Sequence, residues 1–313
     1  MSPAAIVLLA MATTLAACSS GSSRPPVATK PFDATQAELV LFDDFNYTTL
    51  EEFRSHGWIA RSAPGWPGIA GAVWSSDHVS FLDDPLRSGN RILRMTSSIG
   101  EQVAQTQICH ARKYLEGTYA ARVRFTDTSS EGQSGDEVVQ SFYAITPYRK
   151  AMDPAYSEID FEYLPGGGWE KPAHTLMTTT WETTQMDPPK DLNEASFRTG
   201  ALDGWHTLVF QALDGRVRYY IDGEYLAEHS KPNYPDAPMS LNFNLWFIRK
   251  NGALPTSPTR HYVEEIDWVL HAKDTLMTVQ QITDRVAHFR SNSVLFRDTV
   301  PAATPALDSP CDL

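Results

Sequence analysis

The chain has 313 residues and a formal charge of −12, from 26 Lys and Arg against 38 Asp and Glu. Aromatic residues make up 11% and charged residues 20%, which excludes a disordered chain and supplies ample core for one large domain or two small ones. The acidic balance speaks against a nucleic-acid partner, because phosphate binding needs clustered Lys and Arg.

Residues Ala4 to Ala17 form an apolar run that is too short to span a bilayer and ends in small residues. Residues 1–18 therefore read as an export signal, although no Lys or Arg precedes the run. The run closes on Leu15-Ala16-Ala17-Cys18, which resembles a bacterial lipobox and makes Cys18 a candidate for lipidation. An ordinary cleaved signal with an incidental Cys is the plainer reading. Residues 19–35 are rich in Ser, Pro and Ala and read as a flexible linker. The expected location is outside the cytoplasm, as a cell-envelope lipoprotein or a secreted protein.

From Leu39 onward the pattern is almost all strand. Candidate strands are Arg91–Thr96, Thr118–Phe125, Val138–Ala144, Ser157–Tyr163, His174–Trp181, His206–Gln211, Arg216–Asp222, Tyr225–His229, Met239–Phe247 and Tyr262–Leu270. They are short, β-branched or aromatic, and separated by Gly, Pro and Asp turns. Helical spacing occurs near the end, at Val279, Ile282, Val286 and Phe289. One all-β sandwich of the jelly-roll kind over residues 36–275, followed by a short helix and a tail over 276–313, is the expected organisation. Of the remaining cysteines, Cys109 lies in a strand-like stretch and Cys311 three residues from the end. An exported chain permits a bridge between them, and a buried thiol with a free terminal thiol fits as well. No CxxC or Cys/His ligand spacing occurs, so a structural zinc site is not expected, and no redox cofactor is needed.

The informative segment is Ser157-Glu158-Ile159-Asp160-Phe161-Glu162-Tyr163. Alternate side chains of a strand share a face, so Glu158, Asp160 and Glu162 point one way and Ile159, Phe161 and Tyr163 the other. The apolar set belongs between the sheets. The acids then form a row without an intervening Lys or Arg, and such a row stores repulsion. Residues i and i+4 of a strand lie about 13 Å apart. Two Glu side chains leaning together bring their carboxyls close to the roughly 5–5.5 Å separation that retaining glycosidases use. Like-charge neighbours raise a carboxyl pKa and keep a proton available for a leaving group.

Glu158-Ile159-Asp160-Phe161-Glu162 resembles the E-[IL]-D-x-E signature of glycoside hydrolase family 16, the laminarinase, lichenase and xyloglucan-transglycosylase group. The resemblance extends to Gly117 through Arg124, Trp205-His206-Thr207 through Gly223, Pro238 through Trp246, and Ile266-Asp267-Trp268-Val269. It implies a concanavalin A-like jelly roll. It also implies Glu158 as nucleophile, Glu162 as acid/base and Asp160 as the assisting carboxylate, acting on a polysaccharide such as a β-glucan. A transglycosylase with the same carboxylates and a non-catalytic carbohydrate-binding jelly roll are the alternatives. A monomer is expected, with a lipid anchor if Cys18 is acylated.

The same resemblance points to sugar-contacting residues. Trp246 is a candidate platform, and Tyr156, two residues before the nucleophile, offers a stacking face. Trp169 follows Gly166-Gly167-Gly168 in a loop after the acids, a run with no helix behind it to make a phosphate site. Trp181 and His174 sit on the next strand with opposite parity, so only one can share the acids' face. Trp66 could border the cleft or cap the sandwich. The family's cleft-lining Glu is replaced by Ala120, and alternation assigns Arg122 to the cleft side. Some family members bind calcium near the N-terminal strand, where Asp43 and Asp44 are the candidates.

Overall fold

The computed structural model describes residues 39–249, 258–308 and 311. The export signal, Cys18 and the linker lie outside the described residues. In chain order the elements are β1 (Val40–Asp43), α1 (Leu50–Ser55), β2 (Trp58–Ala60), β3 (Val73–Trp74), β4 (Val79–Asp83), β5 (Arg91–Ile99), β6 (Val103–Tyr114) and β7 (Gly117–Phe125). They continue with β8 (Glu137–Ile145), β9 (Glu158–Leu164), β10 (Thr175–Gln185), β11 (Lys190–Thr199), β12 (Gly204–Leu213), β13 (Arg216–Ile221) and β14 (Glu224–Ser230). The last are β15 (Met239–Arg249), β16 (Arg260–Lys273), α2 (Val279–Ser291) and β17 (Phe296–Asp298).

The strands form a two-layered antiparallel sandwich of the expected jelly-roll kind. The front sheet runs β11-β10-β9-β8-β15-β6-β2. The back sheet runs β14-β13-β12-β7-β16, and the free edge of β16 is shared by the β5-β4 pair and the β1-β17 pair. β5 turns directly into β6 and joins the layers at one end.

Alternation builds the core between them. Ile159, Phe161 and Tyr163 of β9 point inward, with Phe142 of β8 and Phe243 of β15, against Phe210 of β12 and Tyr219 of β13. The rings pack at van der Waals range, Phe142 on Phe243 at 5.0 Å and Tyr119 on Phe210 at 4.5 Å between centroids. Burying such side chains stabilises a fold by roughly 1.5–3 kcal/mol each.

The back sheet has a second covered face. α2 begins at Thr278 with a capping box to Gln281 and lays Ile282, Val286 and Phe289 on Val40, Phe42, Ala120, Val209, Trp268 and Leu270. The helix expected from the spacing is therefore a packing element. Beyond it β17 pairs with β1, and Cys311 is disulfide-bonded to Cys109. The strand-like stretch expected around Cys109 is the long strand β6; the exposed edge strand β11 and the short helix α1 were not expected from the sequence.

Candidate active site

β9 lies between β8 and β10 in the front sheet. Glu158 stands opposite Ile145 and Trp181, Asp160 opposite Tyr143 and Thr179, and Glu162 opposite Ser141 and Met177. Because the intervening apolar residues fill the core, the three acids face outward together. They line one small cavity with Ser141, Tyr143, Asn244, Trp246, Trp66 and Pro67. Asp160 is buried, and the two Glu residues are partly exposed. Among the described residues no Lys or Arg lines this cavity.

The hydrogen bonds of the row are unequal. The Tyr156 hydroxyl donates to Glu158. The Trp181 indole N–H donates to Asp160 at 3.0 Å. Among the described residues no donor reaches the Glu162 carboxyl. Burial pushes Glu158 up to about 8; the Asp160 charge raises it further and the Tyr156 bond holds it down. Burial and the Glu158 charge push Glu162 up to about 8. Asp160 is driven well above the ordinary carboxylate range by burial and by Glu162, against the donors from Thr179 and Trp181. Three such groups cannot all ionise near neutral pH, so the row retains a proton.

A second layer holds the floor. Arg61 donates to Gln107 at 2.8 Å, and Gln107 donates to the Tyr143 hydroxyl at 2.8 Å. Asn244 Oδ1 lies buried in this floor without a hydrogen-bond partner among the described residues.

Of the expected sugar contacts, Tyr156, Trp181 and Trp246 reach this face. Trp246 anchors an aromatic cluster, with Trp66 at 6.3 Å and Trp169 at 5.7 Å. Trp169 is 41% exposed and has a positive φ of 46°. The glycines before it serve close packing: a Cβ on Gly166 would stand 2.0 Å from the Asp136 carbonyl oxygen.

His174 does not join the acids. It has a positive φ of 59° and turns to the Tyr163 hydroxyl at 3.2 Å and to Asp127 at 3.4 Å. Trp181 is thus the residue of that pair on the acids' face.

Arg122 is misplaced by the sequence reading. It does point away from the core, but from β7, which belongs to the back sheet. Its guanidinium lies over Trp205 at 5.4 Å and 3.5 Å from Asp267, on the opposite side of the sandwich from the acids. Ala120 lies on that same side, beneath α2. Its small side chain therefore removes nothing from the cleft.

Asp43 and Asp44 do not suit a calcium ion. Asp43 is fully buried and accepts from the Tyr47 hydroxyl at 2.6 Å, the Trp58 indole at 2.7 Å and the Phe45 amide at 2.8 Å. Asp44 faces the Arg290 guanidinium at 3.8 Å, and the same guanidinium donates to Asp267 at 2.7 Å. Protein donors thus hold the Asp43 oxygens, and a guanidinium stands where a cation on Asp44 would be repelled.

Sequence reasoning missed Ser141, Tyr143, Gln107 and Asn244 as groups of the cavity wall and floor. A signal was present on β8: with Phe142 and Ala144 inward, Ser141 and Tyr143 must share the outer face with the acids once β8 and β9 pair.

Comparison with known proteins agrees with this geometry. The family description "Glycosyl hydrolases family 16" matches residues 70–270. A beta-glucanase of Paenibacillus macerans is 23% identical over 256 residues, covering 79% of this chain and 96% of the relative. An endo-1,3-1,4-beta-glycanase, ExoK, of Rhizobium meliloti is 26% identical over 211 residues, covering 65% of this chain and 67% of the relative. Among solved structures, a family 16 endo-glucanase from Bacteroides ovatus superposes with a TM-score of 0.57 at 16% identity, over 73% of this chain and 98% of its own.

Proposed function

The chain belongs to glycosyl hydrolases family 16 and is a glycoside hydrolase, and from that premise we propose that it is an endo-acting, configuration-retaining hydrolase of a β-glucan. The unequal hydrogen bonding of the acidic row carries this reading. A donor favours the ionised form of a carboxyl, and its absence favours the neutral form. Tyr156 donates to Glu158, which supports Glu158 as the ionised nucleophile. Glu162 has no protein donor among the described residues and sits beside like charges, which supports it as the protonated acid.

The reaction then follows two displacements. Glu158 attacks the anomeric carbon while Glu162 gives its proton to the departing glycosidic oxygen. As Glu158 becomes an ester it loses its charge and the repulsion on Glu162 falls. Glu162, now a carboxylate, takes a proton from water as the water oxygen bonds to the anomeric carbon and the ester bond to Glu158 breaks, returning Glu158 as a carboxylate and Glu162 protonated. Asp160, held by Trp181 between the two Glu, tunes the pair through its charge and hydrogen bonding. The β-glucan assignment draws on the names of the relatives from Paenibacillus macerans and Rhizobium meliloti.

Glu158→Gln and Glu162→Gln should each lower kcat on a mixed-linkage β-glucan by about a thousandfold or more, with the fold intact. Full activity in either variant would remove the assignment. NMR of the first-formed product anomer tests retention.

We also propose export of the protein. The Cys109–Cys311 bond supports it, since disulfides persist in oxidising compartments. Acyl labelling of intact cells, compared with a Cys18→Ser variant, tests the lipid anchor.

A further inference from the structure

The two carboxyls of a retaining hydrolase flank the scissile bond, so a glycan held between Glu158 and Glu162 crosses β9 rather than following it. From Asp160 the cross-strand register leads to Tyr143 on β8, Asn242 on β15 and Cys109 on β6. Cys109 shares the acids' face, because its neighbours Ile108 and His110 point the other way, Ile108 into the core and His110 against Trp58. Three strand spacings put it about 14 Å from Asp160 along that path.

At this point the face carries a covalent attachment. The tail leaves the back sheet at β17, where Lys113 holds Asp298 and the Val300 carbonyl, each at 2.8 Å. It then passes to the front face, where Cys311 is bonded to Cys109 and buried. Burial lowers the Arg112 pKa, as does the charge of Arg149, while the Asp308 charge in the tail opposes them. Arg149 belongs to the loop between β8 and β9 that delivers Tyr156. Asn242, in the row between Tyr143 and Cys109, is buried, as are Asn244 and Trp246 of the same outward parity on β15.

We propose that the disulfide-tied tail is the end wall of the glycan groove on the β6 side and limits how many sugar residues bind on that side of the acids. The proposal rests on the hydrolase reading above and adds a specificity-determining element to it. A bond that only staples the fold is the competing account, and the two differ in what they do to chain-length preference.

The test measures kcat/KM and product lengths over a graded series of mixed-linkage β-glucan oligosaccharides. The proteins are the wild type, Cys109→Ser/Cys311→Ser, and a chain ending at Val300. The wild type should reach a plateau at short length. In both altered proteins the plateau should move to longer chains, and kcat/KM on the longest relative to the shortest should rise by about threefold or more. Length profiles that superpose on the wild type would overturn the wall, whatever happens to Tm. The cross-linked Glu158→Gln protein gives a reading that needs no change in the tail. A long oligosaccharide should slow amide exchange in residues 301–308 more than a short one, and equal exchange would overturn the wall. If the wild type cleaves none of the series, the hydrolase reading falls first and takes the wall with it.

Discussion

The indole N–H of Trp181 donates to the Asp160 carboxylate at 3.0 Å, although Trp181 stands opposite Glu158 in the sheet. The ring reaches diagonally across two positions, and so the middle acid of the row is held from the neighbouring strand. Tyr156 holds the first acid from its own strand end. The third acid is left to burial and its neighbours' charge.

Trp181→Phe keeps an aromatic surface and removes that donor. The loss should cost about tenfold or more in kcat and leave KM within about twofold, because the bond serves the charged state rather than substrate affinity. Without the donor, the Asp160 pKa moves further up, so the acidic limb of the kcat/KM profile should shift to higher pH. An unchanged profile would separate Trp181 from the chemistry.

The acidic row should destabilise the fold at alkaline pH. Burial raises Glu162 from 4.5 to about 8 in the folded chain, so the native state binds more protons than the unfolded state between those values. Stability therefore falls as pH rises across that window. Glu162→Gln removes the proton-binding difference. Its Tm should match the wild type near pH 4 and exceed it by several degrees near pH 8. Equal Tm values at pH 8 would show that the charge is relieved by another route.

Arg290 spans two buried carboxylates from the last turn of α2, Asp44 at 3.8 Å and Asp267 at 2.7 Å. Asp267 keeps Asn90, but Asp44 loses its cation partner in Arg290→Ala. Breaking such a buried pair costs about 3 kcal/mol at neutral pH. Burial already raises Asp44 to about 6, and loss of the cation raises it further. The variant's folded pKa then lies far above the ordinary 3.8, so its defect should grow as pH rises from 4 to 7 and shrink as Asp44 protonates. Urea unfolding at pH 5 and pH 7 measures the difference. A defect independent of pH would assign the loss to helix packing alone.

The acidic row was legible because alternation is a local property: Ile159, Phe161 and Tyr163 had to be buried, which set the direction of their neighbours. The same rule misled at Arg122. Parity tells which side of its own sheet a residue takes, but not which of two sheets carries the strand. β7 was read as a cleft strand when it belongs to the back layer. β6 was sensed only as a strand-like stretch around Cys109, because its outward residues Gln105 and Gln107 break the apolar run that would have marked its full length. His174 and Trp181 could not be separated until the positive φ of His174 placed it before the strand. The cysteine pairing was undetermined because 202 residues separate the partners, and no local pattern reports on such a distance.

β1 is the first strand of the sandwich, yet its partners are β16 and β17, near the far end of the chain. An emerging polypeptide therefore holds Val40, Leu41 and Phe42 without a partner until nearly all of it has been made. Folding cannot finish from the N-terminus forward, and a chain cut short before β16 leaves an apolar strand open to aggregation.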